Sequence, residues 1–345
     1  MSGRPDIGAT LAVLVVFTLL ALVAPAVLET YTLTILLIYG LLAMSLGLVW
    51  GFGGILCFGQ AAFYGLGAYS YAIAAINLGE STLPFVLGIV VPFLFAGVLG
   101  AMMFYGRLSD VYLGVITLVV TLIFFKFMNS TAGPEYAIGQ ARLGGFNGIP
   151  GYQTLNVPGD PDAYIFGDDF YYLVVAIVLV VYALLRWLLA SPFGRVAIAI
   201  RENEARVELM GYDARLRKTT LFAVGGAVAG LAGMLFANWA EIVTPGLFSL
   251  GQSAEIIIWC IVGGLGTLVG PFVGAMLLGY LKFALGQQAL IDNTLVLGLV
   301  LVLSVLLLPR GVVPTLGQWA GLARRRRPRR APRRRLRPAR GGADG

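Results

Sequence analysis

The sequence predicts an all-α integral membrane protein, a polytopic helical bundle of about 8–10 transmembrane helices with some glycine-broken segments. Three observations lead there. Apolar residues make up 59% of the 345 and charged residues only 12%, where a soluble domain carries about 25% charge. Mean hydropathy is +0.87. The apolar residues also gather in runs near the roughly 20 residues that a helix needs to cross a bilayer.

In chain order the runs are Ile7–Leu28, Tyr31–Trp50, Ile55–Leu78, Pro84–Tyr105, Tyr112–Met128, Phe170–Ala190, Thr219–Asn238 and Leu295–Leu308. Ala24-Pro25-Ala26 in the first mimics a signal-peptidase site. That run is long for a signal peptide and another span follows at once, so it is expected to stay as a span. Ala254–Leu285 is too long for one ordinary crossing and is interrupted by Gly263, Gly264, Gly266, Gly270 and Pro271.

Basic residues in short loops mark the cytoplasmic side. The connection at 186–218 holds Arg186, Arg195, Arg201, Arg206, Arg215, Arg217 and Lys218, which puts it inside. The connection at 129–169 sets Arg142 against Glu135, Asp160, Asp162, Asp168 and Asp169, which puts it outside. Counting from these, both termini are cytoplasmic. Ala254–Leu285 must then descend and return, with its Gly264-Leu265-Gly266-Thr267 turn near the inner face, as two crossings or a re-entrant pair.

The formal charge of +7 is not a property of the body. Residues 324–345 hold 11 Arg and one Asp, leaving 13 basic and 16 acidic groups in residues 1–323, a net of −3. The chain therefore divides into a transmembrane domain over residues 1–322 and an Arg-rich cytoplasmic tail over 323–345, expected to be disordered. The tail suits anionic lipid headgroups. With no aromatic residue among its arginines for stacking, nucleic acid is not an expected partner.

Catalytic signatures are missing. The chain has no His, and its two Cys, Cys57 and Cys260, stand alone in apolar runs and read as packing. That excludes ordinary zinc sites and His-based acid–base catalysis. The basic-then-hydroxyl run Arg217-Lys218-Thr219-Thr220 lacks the glycine of a phosphate-binding loop. No metal and no cofactor are expected in this chain, and it is not expected to be an enzyme. Lys126 can snorkel from its span's end, and Glu255 is read as lying at a helix start, where the dipole favours it.

Non-helical backbone at membrane depth is tolerated only under protein or beside a water-filled cavity. Two glycine-rich breaks qualify, Gly51–Gln60 and Gly263–Pro271. Interrupted segments in two halves of a membrane chain point to a translocation path, and close packing through small residues is the competing reading. Gly59, Gln60, Tyr64, Tyr69, Asn238, Gly264 and Gly266 are the candidates for such a path; the polar ones among them could instead cap one another.

The densest mixture of charge in the body is Ser191 to Lys218, SPFGRVAIAIRENEARVELMGYDARLRK. Ser191 suits a helix cap with Pro192 in the first turn, and Gly211 suits a helix stop. Between them apolar Val196, Ile200, Val207 and Met210 alternate with charge, giving one or two short amphipathic cytoplasmic helices. This run, with Ala229-Gly230-Leu231-Ala232-Gly233-Met234-Leu235 after it, resembles the cytoplasmic loop and next span of permease subunits in ABC importers for branched-chain amino acids.

Further motifs fit the same family over about residues 30–315. Gly53-Gly54, Phe58-Gly59-Gln60-Ala61-Ala62-Phe63 and Gly67-Ala68-Tyr69 resemble its first signature. Gly144-Gly145-Phe146-Asn147-Gly148-Ile149-Pro150 resembles its external loop and points to the LivM-like subunit. Ile261–Pro271 resembles its late signature, and Leu308-Pro309-Arg310-Gly311-Val312 its closing segment.

The resemblance implies a pore subunit in a bacterial cytoplasmic (inner) membrane. It implies a homologous second permease, two ATPase subunits that bind the ATP, and a periplasmic or lipid-anchored substrate-binding protein. The loop 191–218 would couple to the ATPase, with Arg195, Arg201, Glu204, Ala205, Arg206 and Gly211 as its candidate residues. The family also includes urea and short-amide importers, and Trp259 before the late glycines hints that way. A stand-alone secondary transporter or channel, or a membrane scaffold, are the readings outside this class. Nothing resembles a buried chain of carboxylates for proton coupling, which disfavours the secondary transporter, and ligand flux in liposomes separates transport from the scaffold.

Overall fold

A computed structural model describes residues 7–157 and 160–286, with 298–299, 302 and 311–315 beyond them. The expected last span Leu295–Leu308 falls almost wholly outside the described residues, and Arg4, Arg310 and the Arg-rich tail fall wholly outside them. The described elements are α1 (Ile7–Val23), α2 (Thr30–Gly51), α3 (Gln60–Leu78), α4 (Thr82–Tyr105), α5 (Asp110–Ser130), α6 (Gly167–Ala190), α7 (Pro192–Glu202), α8 (Glu204–Leu209), α9 (Ala214–Ala240), α10 (Leu250–Gly263) and α11 (Val269–Gly286). Five of them, α2, α4, α5, α6 and α9, are long and apolar enough to cross a membrane. The protein is a polytopic helical membrane bundle.

α2 and α9 form its centre. Both are lined with small residues, which lets backbones approach where lipid supplies no hydrophobic drive between helices. A Cβ at Gly67 of α3 would lie 2.1 Å from the Gly230 carbonyl oxygen of α9, and one at Gly226 of α9 would lie 2.4 Å from the Ala96 methyl of α4. On its other side α2 packs against α11, where a Cβ at Gly47 would lie 2.6 Å from the Pro271 ring. The outer faces are apolar and exposed, as at Val98, Met102, Val111, Ile123 and Trp187, and suit lipid.

The run expected as Ile55–Leu78 is corrected. Residues 55–59 are irregular, and α3 begins only at Gln60. The long run Ala254–Leu285 resolves into α10 and α11, which pack against each other across the break at 264–268. α10 is short at 14 residues, about 21 Å at 1.5 Å per residue, and falls short of the roughly 30 Å hydrocarbon core. The short turn before it, with Pro245, Leu247 and Phe248, is buried in the bundle. Phe248 stacks on Tyr69 of α3 at 5.5 Å and on Phe124 of α5 at 5.4 Å. α10 is therefore a half-span.

Short strands, which the composition does not announce, fix the connection between α5 and α6. β1 (Ala137–Ile138) pairs with β2 (Ala141–Arg142), and β4 (Asn156–Val157) with β5 (Asp160–Tyr164). β3 (Ile149–Pro150) runs antiparallel to β6 (Ile242–Val243), with Ile149 opposite Val243. The Gly144–Pro150 motif thus holds the segment that leads down into α10. A Cβ at Gly148 would lie 2.2 Å from the Val243 carbonyl oxygen, and its φ of +74° lies in the left-handed region.

Candidate functional site

The charged loop folds as two helices at a corner. Ser191 caps α7, its Oγ accepting from the Gly194 amide at 3.3 Å. At Asn203 the chain turns extended, with φ −162° and ψ 98°, and the Asn203 Oδ1 accepts from the Arg206 amide at 2.9 Å to start α8. Asp213 caps α9 in the same way, accepting from the Arg215 and Leu216 amides. Ile200, Val207 and Ala214 bury a small apolar cluster of their own, with Val196 against it. Gly211 ends the corner at φ +86°, as a helix stop requires.

The candidate coupling residues separate into two kinds. Glu204 is engaged within the chain, its Oε2 accepting from Lys218 Nζ at 2.5 Å, and Lys218 also lies over the Phe104 ring at 5.9 Å. Arg195 donates to the Ala190 carbonyl oxygen at 2.9 Å. Arg201 reaches across 150 residues to donate to the Gly51 carbonyl oxygen. Ala205, Arg206 and Gly211 are exposed, and so are Leu209 at 89% and Met210 at 69%. Met210, read from sequence as part of the apolar face with Val196, Ile200 and Val207, instead points outward, and Leu209 was not singled out at all.

Two open depressions flank α8. One of about 390 Å³ is polar and includes Arg107, Asp110, Glu204, Glu208 and Arg215. The other, of about 280 Å³, includes Arg195, Val196, Met210, Tyr212 and Arg217. The first brings in the α4–α5 connection, which the sequence reading left out. Arg107 there sits at φ +54°, uncommon for a residue with a side chain.

The two glycine-rich breaks meet. A Cβ at Gly51 would lie 3.2 Å from the Gly266 amide nitrogen, and one at Gly54 would lie 2.9 Å from the Arg201 side chain. Gly264 ends α10 at φ +102°, and Gly311 of the closing motif packs so tightly on it that a Cβ there would lie 2.3 Å from its Cα. The charged loop, both breaks and the closing motif therefore share one end of the bundle.

The polar path candidates lie inside the chain's own packing and do not line an open surface. Gln60 is 1% exposed, and its Nε2 donates to Ser45 Oγ at 2.7 Å and to the Gly225 carbonyl oxygen at 3.3 Å, tying α3 to α2 and α9. Its Oε1 and the Tyr64 and Tyr69 hydroxyls are buried without a hydrogen-bond partner among the described residues. Asn238 is far from Gln60 in role. It accepts from the Leu155 amide at 2.7 Å and donates to the Met234 carbonyl oxygen at 2.9 Å, anchoring the opposite connection. Gly59 faces Thr117 of α5, where a Cβ would lie 2.2 Å from the carbonyl oxygen.

Beside Asn238, Tyr152 donates to the Ala237 carbonyl oxygen at 2.7 Å. Burial pushes its phenol up, with Tyr71 and Glu241 adding to the shift, so it stays a neutral donor. Trp259 is 2% exposed against Tyr39, a packing role that removes its value as a hint about substrate.

Glu255 is corrected. It stands five residues past the start of α10, beyond the first turn where the dipole acts, and its carboxylate accepts from Lys282 Nζ of α11 at 2.6 Å. Sequence reading missed this pair because Lys282 falls near the end of an apolar run.

Comparison with known proteins agrees with this architecture. The chain is 30% identical to the high-affinity branched-chain amino acid transport system permease protein LivM of Escherichia coli K12, over 81% of this chain and 69% of that one. It is 24% identical to the probable branched-chain amino acid transport permease protein LivM of Methanocaldococcus jannaschii, over 69% of this chain and 76% of that one. A shorter likeness, 30% over 28% of this chain and 31% of the relative, links it to the ribose import permease protein RbsC of Haemophilus influenzae. No solved structure matches. The family described as branched-chain amino acid transport system / permease component matches residues 28–308, and with most of the chain covered the protein belongs to it.

Proposed function

We propose that this chain is the permease subunit of an ATP-binding-cassette importer that moves branched-chain amino acids across a bacterial inner membrane, with both termini cytoplasmic. ATP is hydrolysed by two separate ATPase subunits, a homologous permease completes the pore, and a binding protein outside delivers the solute. The observation that carries this reading is the cornered loop. Its helix α8 holds two apolar side chains out into water, on a base made rigid by the Asn203 and Asp213 caps and the Glu204–Lys218 pair. An exposed apolar tip on such a base suits a protein partner.

From that base Arg201 leads directly to Gly51, and Gly51 to the Gly266 turn between α10 and α11. A push on α8 therefore has a contiguous packed route to the broken segments. The test is reconstitution of all subunits in liposomes. Leucine uptake that requires ATP, the binding protein and the ATPase subunits supports the reading. Uptake of urea or a short amide in place of leucine would move the protein to the related importers, and flux without the ATPase would make it a stand-alone transporter.

A further inference from the structure

With the break between α10 and α11 taken at the inner face, helix rise puts the Glu255–Lys282 pair at mid-membrane depth. Glu255 is eight residues before Gly263 and Lys282 thirteen after Val269, or about 12 and 20 Å from the break at 1.5 Å per residue, within a core of roughly 30 Å. The break lies at the end of the bundle that carries the charged loop. The pair is not sealed in the protein, since its side chains are 18% and 38% exposed. Charges at this depth are expensive against lipid and face a cavity or a partner instead.

Polar groups collect around it. Trp259, one turn after Glu255 on α10, packs on the Tyr39 ring at 4.9 Å. Tyr64 is fully buried and its hydroxyl has no partner among the described residues, and neither has Gln252 Nε2, one turn before Glu255. Ala254, beside Glu255, is exposed. The pair thus sits one turn from the unsatisfied Gln252 amide, on a face of α10 that it shares with exposed Gly251 and Ala254.

We propose that this face of α10 and α11 is turned to the translocation path and that Glu255 and Lys282 form a subsite for a zwitterionic solute. The ammonium of an amino acid takes the place of Lys282 beside Glu255, and its carboxylate takes the place of Glu255 beside Lys282. Each charge then keeps a counter-charge throughout, so the solute crosses the middle of the membrane without leaving either residue unpaired. A neutral amide gains nothing from the exchange. The proposal rests on reading the chain as an amino-acid permease.

Two measurements on the full complex test it. In liposomes, Glu255→Gln and Lys282→Gln should each lower turnover at saturating leucine by about tenfold with half-saturation unchanged, while binding-protein-stimulated ATP hydrolysis persists. Uptake within about twofold of wild type in both variants would overturn the proposal, and so would an equal loss of uptake and of binding-protein-stimulated ATP hydrolysis, which would make the pair a structural staple. The second measurement leaves the pair intact. In a background without Cys57 and Cys260, Ala254→Cys should react with a water-soluble thiol reagent and be slowed by leucine-loaded binding protein, whereas Met102→Cys should stay inert. An inert position 254, or one that only cross-links to the second permease, refutes the subsite. Because labelling needs no transport, that result is told apart from wild-type liposomes that move no leucine, which would refute the permease reading beneath it.

Discussion

Replacing Arg201 by Met tests whether the charged loop drives the glycine-rich breaks. The methionine keeps much of the aliphatic stem but loses the guanidinium that donates to the Gly51 carbonyl oxygen. A hydrogen bond from a charged donor contributes about 1.5–3 kcal/mol. Arg201 is exposed, so screening and competing water put the expectation at or below the bottom of that range, about 1–1.5 kcal/mol. Nothing else in the loop depends on that contact, since α8 and α9 keep their own caps at Asn203 and Asp213. The loop should stay folded while its grip on the end of α2 loosens. If the grip biases a two-state rearrangement, 1–1.5 kcal/mol is about a five- to tenfold shift in that equilibrium. The assay is leucine uptake per ATP hydrolysed in liposomes holding all subunits. The expected result is a several-fold lower ratio at normal membrane insertion. An unchanged ratio would refute the idea that force passes through Arg201 and Gly51, whatever the ATPase does on α8.

Other perturbations separate the parts. Leu209→Asp should abolish co-purification of the ATPase subunits while leaving the permease in the membrane, because it puts a charge where an exposed apolar tip meets its partner; retained co-purification would remove Leu209 from the interface. Gly211→Val should lower the loop's stability by about 1–2 kcal/mol, read as faster protease cleavage near residue 211, because φ there is left-handed and Val resists it. Gly148→Val should break the β3–β6 pairing and reduce uptake with little change in basal ATP hydrolysis, since the change lies at the far end of the bundle. Truncation after Leu322 should leave uptake largely intact, since the charged loop still biases topology; a normally inserted truncation without uptake would give the tail another role.

The fold was legible where composition and spacing speak at the scale of a span. Runs of apolar residues located α2, α4, α5, α6 and α9, and the glycines at 263–270 announced that Ala254–Leu285 breaks in two. The corner at Ser191, Pro192 and Gly211 was legible too, because caps and stops depend on single residue types. What escaped notice was long-range. The Ile149–Val243 pairing needs two segments almost a hundred residues apart, neither of which has the length or alternation of a strand. Lys218 could not be matched to Glu204, nor Lys282 to Glu255, because the partner of a charge is chosen by packing across elements. Gln60, Tyr64 and Tyr69, read from sequence as polar groups in or beside a span, are buried in the bundle. Their surroundings, the α2–α3–α9 packing, are set by small residues whose spacing gives no direction toward a pore.

The charged groups of this chain divide by what pairs them. At the loop, Lys218 neutralises Glu204 within the chain at a part-exposed site, so a coupling role resting on the acidity of Glu204 loses its motive and passes to the neutral tips at the end of α8. At mid-depth, Lys282 pairs with Glu255 in the same manner, but there less water is at hand to replace a lost partner, so each charge is costlier to leave alone. Glu204→Gln distinguishes the two situations. It leaves Lys218 without its carboxylate at a part-exposed site, where water takes over most of the lost interaction, so the effect should stay below about 1 kcal/mol. Uptake and ATPase co-purification should then remain within about threefold of wild type. Loss of either at normal loop stability would return Glu204 to the ATPase contact, and the exposed Leu209 and Met210 would no longer suffice to explain the docking.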